Sequence, residues 1–157
     1  MADEIERKFL VHTAPDLSGY PSERIAQTYL SAGLPTVRVR IKGEQGFLTI
    51  KGPSVGISRK EYEYEIPLAD AEEMLALPSF GRVDKLRYYI PAGRHLLELD
   101  VFQGVHAGLV LAEVELKSAD EMVVLPNWVG EEVSTDARYY NSSIAQAVYK
   151  GGSLVLR

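Results

Sequence analysis

The sequence predicts an α+β domain built mainly of antiparallel sheet. Three observations lead there: apolar and charged residues alternate with period two in short blocks, Gly- and Pro-rich turns separate the blocks, and only three stretches have helical character. At 157 residues and 17.4 kDa, the chain has the length of one globular domain, spanning 1–157. With 46% hydrophobic and 25% charged residues it has ordinary globular composition.

The strands are expected at about 3–12, 26–31, 36–43, 46–52, 59–67, 83–91, 94–102 and 109–117. Turn chemistry divides them: Gly33-Leu34-Pro35, Gly43-Glu44-Gln45-Gly46, Gly52 to Gly56, Pro91-Ala92-Gly93 and Gly104 to Gly108. The first helix, 69–77, carries Asp70, Glu72 and Glu73 in its early turns and stops before Pro78. A second, 118–125, opens on Ser118-Ala119-Asp120-Glu121, the pattern of a capping box, and stops at Pro126. Thr135 or Asp136 caps a final helix through about Tyr149, ended by Gly151-Gly152. Its stripe of Ile144, Ala145 and Val148 fits either a cap on the barrel or a pad on its outside.

Within a strand, residues i and i+2 share a face. Glu4, Glu6 and Lys8 therefore oppose Ile5, Phe9 and Val11, and Arg38, Arg40 and Lys42 oppose Val37, Val39 and Ile41. Thr49 and Lys51 oppose Leu48 and Ile50; Arg59, Glu61, Glu63 and Glu65 oppose Tyr62, Tyr64 and Ile66. Lys85 and Arg87 oppose Leu86, Tyr88 and Ile90; Glu98 and Asp100 oppose Leu97, Leu99 and Val101. Glu113, Glu115 and Lys117 oppose Val114 and Leu116. A half-buried sheet with its charges in water has this alternation too. A solvated face, however, mixes its signs because adjacent like charges repel. Here the signs are segregated strand by strand, and about eight strands close a small barrel. If the charged faces point inward, crowded carboxylates suit a hard divalent cation and forked guanidinium groups suit phosphate oxygens. The ligand matching both is a metal-chelated phosphate chain.

Composition excludes other classes. The chain has no cysteine, which removes disulfides, thiolate chemistry and cysteine–zinc sites. A net charge of −5 and a pI near 5.2 argue against nucleic acid as a partner. His12, His95 and His106 lack metal-ligand spacing and read as ordinary loop or strand-end residues. Trp128, between Pro126 and Gly130, reads as an anchor for its segment. The opening residues carry no apolar leader and no run approaches a membrane span, so the expected address is cytoplasmic, without a membrane partner.

Glu4-Ile5-Glu6-Arg7-Lys8 resembles the Glu-x-Glu-x-Lys signature of the CYTH superfamily, the triphosphate tunnel metalloenzymes. Matches follow in order at Arg38-Val39-Arg40, Thr49-Ile50-Lys51, Glu61-Tyr62-Glu63, Lys85-Leu86-Arg87-Tyr88, Glu98-Leu99-Asp100 and Glu113-Val114-Glu115, with a family-like closing segment from Gly130 to Tyr139. The resemblance spans about residues 3–141 and is strongest to short bacterial members that hydrolyse inorganic triphosphate. It implies an eight-stranded antiparallel barrel forming a charged tunnel, with a few outer helices including a C-terminal one, and Mg²⁺ or Mn²⁺ with a triphosphate substrate inside.

By position, the resemblance makes Glu4, Glu6, Glu61, Glu63, Glu113 and Glu115 metal ligands. It makes Lys8, Arg38, Arg40, Lys51, Lys85, Arg87 and Arg138 phosphate ligands, and Lys8, Tyr29 and Lys85 the candidate catalytic groups, with Tyr29 placed to hydrogen-bond Lys8. Glu65, Glu98 and Asp100 are rim or charge-balancing groups, and Tyr62, Tyr64 and Tyr88 pack outside under helices. The implied reaction is metal-assisted attack of water on a terminal phosphorus, by a monomer or homodimer. Competing readings are a class IV-type adenylate cyclase, a thiamine or nucleoside triphosphatase, and a non-catalytic polyphosphate-binding module. Cyclase-like members carry His-Phe-Arg-x-Arg where this chain has Thr36-Val37-Arg38-Val39-Arg40. Paired glutamates speak against a pure anion binder.

Overall fold

Because charged and apolar side chains alternate, pairing the strands edge to edge sorts them onto opposite faces of the sheet. The computed structural model describes residues 3–157. Its strands are β1 (Asp3–Leu10), β2 (Ser22–Ser31), β3 (Thr36–Lys42), β4 (Gln45–Val55), β5 (Ser58–Ile66), β6 (Arg82–Ala92), β7 (His95–Phe102) and β8 (Val110–Glu115). They close into an antiparallel barrel in the order β1-β5-β4-β3-β2-β6-β7-β8. The charged face lines the bore.

Register decides which charges meet. Lys8 lies opposite Glu113, Lys51 opposite Glu61, and Arg87 opposite Asp100. Like charges also face each other, Glu6 opposite Glu115 and Glu98 opposite Glu113. The seam between β1 and β5 is short, running from Asp3↔Lys60 to Ile5↔Ser58. Beyond Lys60, β5 pairs with β4, which sets Glu61 opposite Lys51 and Glu63 opposite Thr49.

The outward apolar residues of β1, β6, β7 and β8 form a core with Phe9, Ile90, Leu97, Leu99, Ala112 and Val114 buried. An irregular strap with Val123, Trp128 and Val129 covers them, so Trp128 is the anchor its flanking Pro and Gly suggest. Helix α1 (Leu68–Leu75) covers β3 and β4. There Gly46 is required, since a Cβ would lie 2.7 Å from that of buried Ala71. Tyr62 and Tyr64, expected beneath a helix, are exposed because α1 sits over β3 and β4 instead. Tyr88 is half-buried in the outer core.

Two helix expectations need correction. Residues 118–125 form no helix. Glu121 does reach back to the N–H groups of Lys117 and Ser118, as in a capping box, but its other oxygen is bound to His95 Nε2 at 2.8 Å. The signal caps a single turn, and Val123 is drawn onto the outer core. The C-terminal helix is present but short. Asp136 caps a 3₁₀ turn, Ala137–Tyr139, followed by α2 (Asn141–Ala145). Beyond it, β9 (Ala147–Lys150) and β10 (Ser153–Leu156) form a hairpin around Gly151-Gly152, both with positive φ. Two such glycines between β-branched and aromatic runs favour a tight hairpin over helix continuation. Smaller shifts concern strand ends: β2 begins at Ser22, β4 extends to Val55 and β8 stops at Glu115.

Inside the barrel, Tyr29, Val83, Phe102 and Leu111 occupy inward positions, two residues from Gln27, Lys85, Asp100 and Glu113. Ile144 and Ala145 of α2 complete this second core, and all six are buried. The helix is therefore a stopper in one mouth rather than an outer pad. His106 secures it. Its Nε2 lies 2.6 Å from the Ile144 carbonyl and 2.8 Å from that of Ala147, so this nitrogen carries the hydrogen. That corrects its reading as an ordinary loop residue, as does the His95–Glu121 pair for His95.

Gly81 lets α2 seat. Its φ is +124°, and a Cβ there would lie 2.1 Å from the Ala145 carbonyl oxygen. Gly81→Ala is therefore expected to destabilise the fold by about 2 kcal/mol or more, a cost of backbone strain plus overpacking. Equilibrium urea unfolding checks this, and an unchanged midpoint would contradict the stopper geometry.

Candidate active site

Alternate residues of neighbouring strands project their charges into one enclosed space. A cavity is lined by Glu4, Glu6, Arg38, Arg40, Lys51, Glu61, Glu63, Arg87, Glu98, Glu113 and Glu115. A second chamber shares Glu4, Glu6, Arg38 and Lys51, and adds Lys8, Tyr29 and the segment that leads into α2. The two chambers together form a continuous charged bore.

Buried charges need partners. Lys51 Nζ bridges Glu4 at 3.0 Å and Glu61 at 3.2 Å. Arg87 grips Asp100 with two hydrogen bonds of 2.8 and 2.9 Å and reaches Glu98 at 3.4 Å. Lys8 approaches Glu113 at 3.6 Å, while its Nζ donates to the Tyr139 carbonyl at 2.6 Å. Arg38 lies 3.5 Å from Glu63 and donates to Thr49 at 3.3 Å. Two buried atoms among the described residues have no hydrogen-bond partner, Arg38 Nε and Glu113 Oε1. Arg38 Nε carries a hydrogen that a phosphate oxygen can accept, and Glu113 Oε1 carries a lone pair that a metal ion can take.

Crowding shapes the protonation states. Burial, then Glu113 and Glu4, push the Glu6 carboxyl well up. Burial also opposes charge on Glu113, but Lys8, Arg87, Lys85 and a hydrogen bond from Glu6 hold it well below the usual range. Glu4 and Glu61 split the same way. Burial raises Glu4, whereas at Glu61 the effect of burial is outweighed by the hydrogen bond from Glu4 and by Lys51. In each pair the two carboxyls are thereby driven in opposite directions. Glu98 is pushed up to about 7, first by burial, with Arg87 opposing and Glu113 reinforcing.

Such acid pairs suit a hard cation by donor chemistry, and Glu113 Oε1, which makes no hydrogen bond and lies 3.6 Å from Lys8 Nζ, has a lone pair to offer it. Among the described residues no three acidic or histidine side chains already converge as a cage. The lysines hold the carboxylates instead, Lys51 between Glu4 and Glu61 and Lys8 beside Glu113. The residues fit a divalent ion that takes over the role now played by the lysines.

Most residues singled out from the sequence meet in this bore, with three differences. Lys85 is wholly enclosed, with Nζ 2.7 Å from Asp100 and 3.2 Å from Asn141 Oδ1, and it faces neither chamber. Burial, with Asp100 opposing and Arg87 and Arg40 reinforcing, lowers its pKa to about 8. Arg138, a phosphate ligand by the resemblance, stands apart: its side chain is 74% exposed and folds onto Asp136 at 2.6 Å. Tyr29 makes no hydrogen bond with Lys8; its Oη accepts from Gln27 Nε2. Residues missed are Gln27, Thr49 and Asn141. Gln27 did leave a signal, a lone amide between Ile25 and Tyr29 on one strand face.

A closed antiparallel barrel lined by paired carboxylates and guanidinium groups defines a protein that holds a polyanion and cations in its bore. The chain belongs to the CYTH domain family, whose pattern matches residues 2–148. It is 41% identical over 152 residues to a protein of Acetivibrio thermocellus named inorganic triphosphatase, covering 96% of this chain and 97% of that one. It is 40% identical over 153 residues to the inorganic triphosphatase of Nitrosomonas europaea, covering 92% and 98%. The crystal structure of the inorganic triphosphatase NE1496 superimposes with a TM-score of 0.69 at 36% identity, over 96% of this chain and 99% of that one.

A carboxyl whose pKa is raised, as that of Glu6 is, must give up its proton to ligate a cation. Addition of Mg²⁺ or Mn²⁺ is therefore expected to release protons, and metal affinity to strengthen as pH rises. The sign follows from the raised Glu6 carboxyl: below its pKa the cation displaces a proton, and above it does not. Calorimetric titration in two buffers of different ionisation enthalpy measures the release; buffer-independent heats would contradict it.

Proposed function

We propose that this chain hydrolyses inorganic triphosphate to pyrophosphate and phosphate within the barrel, assisted by Mg²⁺ or Mn²⁺. The observation that carries the reading is one enclosed bore with a carboxylate side and a guanidinium side, each with a buried unpartnered atom. The names of the two relatives that align over nearly the whole chain support it.

Glu4, Glu6, Glu61, Glu63, Glu113 and Glu115 would hold the divalent ion, which when bound neutralises phosphate charge and lowers the pKa of water. Arg38, Arg40, Lys51 and Arg87 bind the phosphate chain from the facing wall. Phosphoryl transfer asks the protein chiefly for such positioning and charge neutralisation. Arg38 offers its free Nε to a phosphate oxygen. Lys8, oriented by the Tyr139 carbonyl, and Tyr29 hold protons at the end of the bore beside Glu4 and Glu6. Arg87, fixed by Asp100, steadies the departing pyrophosphate, and Lys85 acts through Asp100 rather than by touching substrate.

The whole chain, 1–157, works as one unit in this reading, in the cytoplasm, as a monomer or homodimer. Among the described residues no helix is long and apolar enough to cross a membrane.

Phosphate release from tripolyphosphate, measured with and without Mg²⁺ or Mn²⁺, tests the proposal and separates an enzyme from a polyphosphate binder. Glu4→Gln and Glu115→Gln are expected to lower the metal-dependent rate by about 100-fold. Full activity in either variant would remove that residue from the metal shell, and no turnover by the unaltered protein would reject the reaction.

A further inference from the structure

Gln27 is wholly buried, at 0% exposure, in the bore wall. Its Oε1 accepts from Arg40 Nε at 2.7 Å, and its Nε2 donates to Tyr29 Oη at 3.3 Å. Arg40 is its cross-strand partner on β3, and Tyr29 lies two residues further along β2, so all three share the inward face. A buried amide without partners is costly, so its placement in a stripe otherwise formed by Ile25 and Tyr29 needs an explanation.

Hydrogen-bond chemistry supplies one. Arginine Nε carries a hydrogen and offers no lone pair, so Gln27 must present its oxygen to Arg40. The NH₂ end is then committed to Tyr29. A phenol oxygen that accepts from this N–H turns its own hydrogen elsewhere. Among the described residues no protein atom accepts it, and Tyr29 lines the chamber shared by Glu6, Lys8 and Arg38. The same bond ties only the Nε of Arg40, leaving both terminal nitrogens for phosphate oxygens.

We propose that Gln27 is a positioning residue that aims the Tyr29 hydroxyl hydrogen into the bore and, through the same amide, sets the plane of the Arg40 guanidinium. It thereby couples a neutral donor to a cationic fork on one phosphate chain. The inference rests on the part given above to Tyr29 in triphosphate hydrolysis.

The test compares kcat and KM on tripolyphosphate for Gln27→Glu, Gln27→Met, Tyr29→Phe and the two double variants with Tyr29→Phe. Gln27→Glu keeps an acceptor for Arg40 but withdraws the donor, so the phenol turns to the new carboxylate. We expect kcat to fall about tenfold or more with KM changed by less than about threefold. Gln27→Met also frees Arg40, and KM rises as well. In the Tyr29→Phe background, Gln27→Glu is expected to add less than about twofold, since its target is gone. The ¹³Cζ resonance of Tyr29, identified by its loss in Tyr29→Phe, is expected to move in Gln27→Glu. Thermal melting confirms folding, and if Gln27→Glu does not fold, the kcat cycle with Gln27→Met takes its place. Wild-type kcat in Gln27→Glu with an impaired Tyr29→Phe, independent losses in the double variant, or an unmoved resonance would overturn the inference while leaving the role of Tyr29 intact. Wild-type kcat in Tyr29→Phe would overturn that role, and the inference with it.

Discussion

Charge neutralisation inside a closed barrel governs this structure. Side chains on the inner face have little access to bulk water, so every carboxylate and cation there must find an opposite charge, a proton or a ligand. The strand register meets most of that demand by setting Lys8 against Glu113, Lys51 against Glu61 and Arg87 against Asp100. Where carboxyls crowd one another, burial and neighbouring acids push Glu4 and Glu6 up, which favours their neutral forms. The bore is thus balanced only provisionally: its lysines occupy positions for which a divalent cation competes.

The rest of the fold follows from keeping that bore in place. Its outer apolar face must be covered, and two different devices do so: α1 over β3 and β4, and the Trp128 strap over β1, β6, β7 and β8. Its inner end must be stopped, which α2 does with Ile144 and Ala145 packed against the inward Phe102 and Leu111. The stopper is also tied to the chemistry. Lys8 is oriented by the Tyr139 carbonyl and Lys85 by Asn141, so the segment entering α2 touches two of the inward lysines. Glu63 is partly exposed, so solvent reaches the carboxylate side of the bore.

Lys85 and Arg87 show how a shared strand face can divide its work. Both face inward, two residues apart, and both contact Asp100. Arg87 reaches the cavity, whereas Lys85 is sealed between Asp100, Asn141 and the Phe102 ring, 5.2 Å from its centroid. Depth along the barrel axis, which alternation does not encode, separates a group available to substrate from one that supports its neighbour.

Strand alternation and sign segregation were enough to place nearly every lining residue, because period two forces Glu4, Glu6 and Lys8, or Arg38 and Arg40, onto a common side whatever else the chain does. The same local logic failed where distant contacts compete with propensity. Glu121 satisfied a capping box yet was claimed by His95, twenty-six residues away, and 118–125 stayed irregular. Face and charge are properties of consecutive residues and were legible from the chain alone. Which end is plugged, which lysine is sealed, and which donor Gln27 offers to Tyr29 depend on groups brought together across the barrel, and only closure of the sheet decided them.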